Sequence, residues 1–108
     1  MNIEDIRNYA LQLPDTEECF PFGEETLVFK VNGKIFLLTS LDEAEFRFNV
    51  KCDPEKAIEL REKYTAVIPG YHMNKKHWNT IIVDGTIKPS EVLGFIKDSY
   101  MLVNKKKR

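Results

Sequence analysis

Apolar residues recur with a helical period in three segments of the chain. In residues 3–13 they return every three or four positions, Asn2 is a good N-cap, and Pro14 ends the helix by restricting the residue before it. Residues 53–64 begin with Asp-Pro, a capping residue followed by one that fits the first helical turn. A third helix opens at Pro89, and its apolar stripe consists of Val92, Leu93, Ile96, Tyr100 and Val103. We therefore predict three amphipathic helices.

Two strands joined by a tight turn are predicted after the first helix. Residues 26–31 and 34–40 are rich in β-branched and aromatic side chains. Asn32-Gly33 between them is typical of a two-residue type I′ turn, which needs a positive φ at both positions. Residues 35–38 are apolar on both faces, which predicts that the second strand lies inside the sheet and is covered on both sides over part of its length.

Apolar and polar residues alternate strictly in residues 45–51, which predicts a third strand. The alternation separates Phe46, Phe48 and Val50 on one face from Arg47, Asn49 and Lys51 on the other. We expect the first face to be buried and the second to be wet and basic. Residues 65–69 and 78–84 supply two further extended segments, with a polar loop between them.

The predicted order of elements is α-β-β-β-α-β-β-α, and the hairpins imply antiparallel pairing. The expected fold class is α+β, a two-layer α-β(3)-α-β(2)-α arrangement. Its five-stranded sheet would be mainly antiparallel, with the helices on one face. Residues 1–108 would form a single domain, with residues 19–23 as a loop pinned onto the core and residues 105–108 as a frayed basic tail.

Composition excludes several classes of protein. With 43% hydrophobic and 31% charged residues among 108, the chain is neither disordered nor fibrous. No apolar run approaches the roughly 20 residues that span a bilayer, and the acidic start lacks a signal-peptide pattern. We therefore expect a cytoplasmic protein without a membrane segment. Cys19 and Cys52 are expected to be free, partly buried thiols in that reducing compartment.

The net charge of −1 conceals an uneven distribution. Residues 1–25 contain seven acids and one base, a charge of −6, so the remaining 83 residues carry +5. Such asymmetry can mark a surface that binds a polyanion, but more often it reflects an ordinary solvated surface. The sequence pI of about 6.1 is far from the strongly basic value typical of dedicated DNA-binding domains.

The least generic segment is residues 69–80, PGYHMNKKHWNT. Lysines such as Lys75 and Lys76 can meet phosphates as point charges. Tyr71 and Trp78 can stack on bases or, alternatively, anchor the loop.

This segment resembles the signature of the MmcQ/YjbR family of small bacterial proteins. Further matching blocks follow in the family's order: CFPFG at 19–23, NGKIF at 32–36, FNVKCDP at 48–54, DG at 84–85 and SYMLV at 99–103. The resemblance implies a fold close to type III secretion chaperones and loosely to CyaY. It also implies DNA binding through a double wing of basic, hairpin-like projections. It brings no catalytic residues and no cofactor.

Two functions are therefore predicted as alternatives. The first is weak, non-specific DNA binding without catalysis, through a positive surface in which Lys30 could also take part. Its candidate residues are Lys75, Lys76, His77, Arg47, Lys51, Lys34, Tyr71 and Trp78. The second is a chaperone-like module that binds a protein partner, a peptide or a second copy of the chain. This module would use an aromatic patch around Phe20, Phe22 and Trp78.

Enzymatic or metal chemistry receives little support from the sequence. The candidate ligands Cys19, Cys52, His72 and His77 lack the spacing of a zinc site. A Cys–His nucleophile pair stays open because such pairing is spatial rather than sequential. We expect no enzyme activity, no metal and no cofactor.

Overall fold

The computed structural model describes residues 1–70 and 73–104. Three helices are present: α1 (Ile3–Gln12), α2 (Pro54–Lys63) and α3 (Pro89–Val103). Six strands accompany them: β1 (Thr16–Cys19), β2 (Thr26–Val31), β3 (Lys34–Ser40), β4 (Arg47–Lys51), β5 (Val67–Pro69) and β6 (Trp78–Ile82). Within these ranges, no helix is long and apolar enough to cross a membrane. The predicted frayed tail at residues 105–108 lies outside the described residues.

All six strands form one antiparallel sheet in the order β1-β2-β3-β4-β6-β5. The helices cover one of its faces: α3 packs across β3 and β4, α1 against β1, and α2 against β5. The covered face supplies much of the hydrophobic core, including Phe29, Leu37, Val50 and Ile81. The predicted α+β class, antiparallel pairing and one-sided helices are therefore confirmed.

The predicted strand count of five was wrong by one, because β1 was missed. Its sequence, Thr-Glu-Glu-Cys, has no apolar alternation, so nothing in its pattern indicates a strand. It forms instead by pairing with β2, from Thr16 opposite Val31 to Cys19 opposite Val28. Glu18 fixes β1 to α1 through a two-pronged ion pair, in which Arg7 donates to both carboxylate oxygens at 2.6 and 2.8 Å. This pairing lowers the pKa of Glu18.

The turn between β2 and β3 has the geometry that Asn32-Gly33 predicts. Both residues have positive φ, 53° for Asn32 and 76° for Gly33, as a type I′ turn requires. The strand that follows lies inside the sheet, as predicted, and Leu37 and Leu38 are buried on opposite faces. β3 also contains a bulge at Phe36, so that Phe29 pairs with Leu37 while Lys30 pairs with Ile35.

We expected the sheet face away from the helices to be wet and basic. In the structure it is partly covered and partly apolar. One row of residues crosses it through all six strands: Cys19, Val28, Leu38, Asn49, Thr80 and Ile68. Val28, Leu38 and Thr80 in this row are buried, and the neighbouring Arg47 and Lys51 are half-buried. Phe22 and Met73, from two different loops, line a groove of about 540 Å³ on this face. Loop residues therefore shield a surface that alternation alone predicts to be open.

The pairing between β3 and β4 is short and is supplemented by side chains. Only Leu37–Val50 and Leu38–Asn49 pair directly. Beyond them, the fully buried hydroxyl of Ser99 in α3 accepts from the Lys51 N–H at 2.8 Å and donates to the Phe36 carbonyl at 2.6 Å. On the other side, the Thr39 hydroxyl donates to the Arg47 carbonyl at 2.7 Å. Two hydroxyls thus satisfy backbone groups that would otherwise be buried without partners.

Replacing the bridging hydroxyl should destabilise the fold. In Ser99→Ala, the Lys51 N–H and the Phe36 carbonyl both lose a partner in a dry environment, so we expect a loss of about 2 kcal/mol in the free energy of unfolding. Urea denaturation measures the effect. The matched control is Ser90→Ala in an exposed position of the same helix, which should change stability by less than about 0.5 kcal/mol. Equal stability of the two variants would refute the bridging role.

Candidate nucleic-acid interface

Two hairpin tips project from the same end of the sheet. Because strands pair antiparallel, the β2–β3 turn, the C-terminal end of β4 and the β5–β6 loop at residues 70–77 all lie at that end. Two contacts record this convergence: Lys51 pairs with Trp78 across β4 and β6, and the Cys52 N–H donates to the His77 carbonyl at 2.7 Å. We call this region the basic end, for the residues described next.

The basic end gathers five of the predicted residues: Lys34, Lys51, Lys75, Lys76 and His77. Lys34, Lys75 and Lys76 are exposed, whereas Lys51 and His77 are half-buried. None of the five forms an ion pair with another described residue. Asp53, the carboxylate that follows β4 here, accepts the Lys56 N–H and caps α2. Side chains remote in sequence therefore form a cationic group with little internal neutralisation.

The β5–β6 loop is tightly built around a glycine. A Cβ on Gly70 would lie 2.7 Å from Cβ of Trp78 and 3.0 Å from its carbonyl oxygen, so only glycine fits here. The Asn74 carbonyl accepts from the His77 and Trp78 N–H groups at 3.2 and 3.0 Å. Trp78 itself is half-buried, which agrees with an anchoring role. These contacts fix the described part of the loop. The Lys75 ammonium donates to the Gly70 carbonyl at 3.4 Å, and Lys76 is exposed. Tyr71, also predicted for this site, lies outside the described residues.

Arg61 of α2 joins the loop to α2 and β6 by hydrogen bonds, and the sequence did not indicate this role. Its Nε donates to Oδ1 of Asn79 at 2.7 Å. Its Nη2 donates to the carbonyls of Lys75 and of Trp78, the latter at 3.3 Å. The Asn79 side chain is buried and donates in turn to the Ala57 carbonyl at 3.3 Å. One guanidinium thus joins α2, β6 and the loop. An arginine within a partly apolar helix face was the only available signal.

Arg47, in contrast, does not belong with the other predicted cations. Arg47 begins β4 and pairs with Ile82, at the opposite end of the sheet from Lys51 and Trp78. There its guanidinium forms ion pairs with Glu43, at 3.4 Å, and with Glu45. Lys30 lies near the basic end instead, because it pairs with Ile35, the neighbour of Lys34, and with Glu17 of β1. The expected positive surface is therefore smaller than predicted, and Arg47 is already neutralised.

The end of the sheet opposite the basic end is acidic. The loops at residues 20–25 and 41–46 meet there, where the Leu41 N–H donates to the Glu25 carbonyl at 2.6 Å. Glu25 and Asp42 are close enough that Asp42 raises the pKa of Glu25, while the Ser40 hydroxyl lowers the pKa of Asp42. The other acids of these loops are Glu24, Glu43 and Glu45. The carboxylates of these two loops thus lie at the opposite end of the sheet from Lys34, Lys51, Lys75 and Lys76.

The two cysteines are free and half-buried, as expected. Cys19 lies in the row on the open face, whereas Cys52 packs against the helix-covered core, so the two thiols are on different sides of the sheet. Burial, with the nearby carboxylates of Asp53 and Asp98, raises the pKa of Cys52. The described residues contain no group of three or more potential ligands that could hold a metal ion. His72, a candidate partner for a thiol, lies outside the described residues.

Comparison with known proteins identifies the family. The family model described as YjbR matches residues 11–102, nearly the whole chain. The chain belongs to the YjbR family. Among YjbR-like relatives, the uncharacterised protein YbdF of Escherichia coli O157:H7 is 42% identical over 100 residues, which cover 93% of this chain and 82% of YbdF. The uncharacterised protein YjbR of Escherichia coli K12 is 28% identical over 100 residues, covering 93% of this chain and 85% of YjbR.

Solved structures share the YjbR-family fold. Protein DR2400 of Deinococcus radiodurans, with a DUF419 domain, superposes with a TM-score of 0.91 at 40% identity. The similarity covers 97% of this chain and 80% of DR2400. The Pseudomonas syringae protein PsR293 has a TM-score of 0.83 at 29% identity, covering 96% of this chain and all of the solved one. The sequence resemblance to the MmcQ/YjbR family is confirmed.

Removing the arginine behind the loop should loosen this YjbR-family site. Arg61→Ala deprives the buried Asn79 oxygen and the carbonyls of Lys75 and Trp78 of their donor, so we expect about 2 kcal/mol lower stability. Trp78 is the single tryptophan, so its fluorescence emission should shift to longer wavelength as the loop opens. Glu62→Gln, an exposed neighbour in α2, serves as the control and should leave both signals unchanged. Unaltered emission in Arg61→Ala would show that the loop holds its shape alone.

Proposed function

We propose that this YjbR-family protein binds DNA non-specifically, through phosphate contacts at the basic end. The observation that carries the proposal is the convergence of Lys34, Lys51, Lys75 and Lys76 at one end of the sheet without ion pairs among the described residues. The carboxylates of the 20–25 and 41–46 loops lie at the other end. Phosphate binding needs such local charge rather than a high overall pI.

The dimensions of the basic end suit a DNA backbone. From β3 through β4 and β6 to β5 there are three strand spacings, or about 14 Å. Duplex DNA carries one charge per about 1.7 Å of axis, so a segment of this length has about eight phosphates on its two strands together. Four lysines could neutralise at most about four of them. Such binding is weak and sequence-independent, with a Kd of about 10⁻⁴ to 10⁻⁶ M at physiological salt.

The salt dependence of DNA binding tests the proposal. With four phosphates neutralised, the logarithm of the affinity should fall with the logarithm of salt concentration with a slope of about −3.6. The double substitution Lys75→Ala with Lys76→Ala should bring the slope closer to zero by about one to two units and weaken binding to every DNA sequence alike. Fluorescence anisotropy titrations of labelled duplex and single-stranded DNA at several salt concentrations provide the measurement.

A charge-matched control separates this site from a general charge effect. Lys88→Ala with Lys97→Ala removes the same two charges from exposed positions before and within α3. This control should keep the slope of the unmodified protein. If both double variants lose affinity equally, attraction depends on total charge and the basic end is not the contact surface. If neither loses affinity, the phosphates bind elsewhere.

Protein-partner binding is a second candidate, favoured by the aromatic loop at residues 20–25. Phe22 is 66% exposed and Phe20 is 48% exposed, although buried phenylalanines are the norm in a domain of this size. Phe22 also lines the groove on the open face of the sheet.

If this patch joins two copies of the chain, sedimentation should reveal an association that strengthens with protein concentration. Phe20→Ser with Phe22→Ser should then abolish the association, because the apolar contact is lost. Unlike DNA binding, the association should change little with salt. A strict monomer at all concentrations would leave the two phenylalanines without a role in self-association.

A further inference from the structure

A second concave site lies on the helix side of the sheet, next to the basic end. The cavity, of about 470 Å³, opens between α2 and α3 over the ends of β4 and β6. Its volume falls within the range of small-molecule sites, about 300–1,000 Å³. A 150 Å³ apolar cavity is enough to bind benzene, so a two-ring body fits here.

The interior of the cavity is mainly apolar. Val50, Leu60 and Ile81 form buried parts of its lining, and all three belong to the hydrophobic core. Phe95, Met101 and Leu102 of α3 supply more accessible walls, and Met101 is 57% exposed. An aromatic ring next to a thioether suits an aromatic guest, because both favour contacts with ring faces and edges.

The charged groups at the cavity favour a cation. Asp53, Asp98 and Lys56 line it, which gives two carboxylates and one ammonium. Lys51 also contributes to the lining, but its side chain alternates with Val50 to the other face of the sheet, where it pairs with Trp78. The Asp98 carboxylate has no hydrogen bond or ion pair with another described residue. Burial chiefly raises the pKa of the Cys52 thiol, and the carboxylates of Asp53 and Asp98 add to the rise while Lys56 and Arg61 oppose it.

We propose that this cavity binds a small aromatic amine, with the two-ring body against Phe95 and Met101 and the protonated amino group beside Asp98. The ammonium would neutralise the carboxylate of Asp98. The apolar body would remove the exposed surface of Met101 and Leu102 from water. Neither contact involves the lysines of the basic end, so the proposal stands independently of DNA binding.

Three probes with the same two-ring body test the charge preference: 1-naphthylmethylamine, 1-naphthylmethanol and 1-naphthylacetate. Calorimetric titration of the intact protein should give an affinity for the amine about tenfold above that for the alcohol, and the acetate should bind most weakly. Asp98→Asn should lower the affinity for the amine to about that for the alcohol while leaving the alcohol unaffected. Glu62→Gln removes the same charge from an exposed position of α2 and should change neither.

Thiol protection locates the bound probe. Cys52 lines the cavity, whereas Cys19 lies in the row on the opposite face and serves as an internal control. At an amine concentration four times its Kd, alkylation of Cys52 by N-ethylmaleimide should slow about fivefold, with no change at Cys19. Leu102→Trp, which fills the cavity, should abolish both the binding and the protection.

The proposal is overturned if the amine does not bind, if the three probes bind equally, or if Asp98→Asn behaves like Glu62→Gln. Binding of the amine with equal protection of both cysteines, or with none at Cys52, would also overturn it, because the probe would then lie elsewhere.

Discussion

The seam between β3 and β4 is the contact on which the sheet depends. These strands sit in the middle of the sheet, yet only two residue pairs join them directly. The hydroxyls of Ser99 and Thr39 extend the seam in the two directions along the strands. Because Ser99 belongs to α3, the same bridge that completes the sheet also fixes the longest helix across it. The bridge therefore joins the helix layer to the sheet and keeps β3 and β4 in register.

That register produces the separation of charge. β2 with β3 and β5 with β6 each form a hairpin, and both hairpins point the same way because every strand runs antiparallel to its neighbours. Lysines placed near the hairpin tips therefore lie at the same end of the sheet, although Lys34 and Lys75 are about 40 residues apart in sequence. The acids of the 20–25 and 41–46 loops are carried to the other end by the same geometry. The fold thus converts a weak charge asymmetry along the chain into a spatial one.

Periodicity and turn chemistry predicted much of this fold. The helices begin and end within a residue or two of their predicted bounds. The turn was predicted correctly from the dipeptide Asn32-Gly33 between two strands. β1 escaped prediction because its four residues gain their structure from a neighbouring strand. For the site, Lys75 and Lys76 stand out as adjacent lysines in an unusual segment. Arg61 does not, since its partners are backbone carbonyls and Asn79, which only tertiary structure brings near. Arg47 was wrongly grouped with the other cations, because alternation along a strand shows which face of the sheet a side chain is on but not which end.

The two edges of the sheet limit how the protein can meet others. β1, at one edge, is four residues long and carries two glutamates, and β5, at the other, has three residues and finishes in Pro69. Short, charged or proline-containing edges offer few free backbone groups to an incoming strand. Growth of the sheet by strand addition, whether from a peptide or from another copy, is therefore disfavoured. Recognition is left to the loops, the hairpin tips and the spaces between layers, where side chains rather than backbone determine what binds.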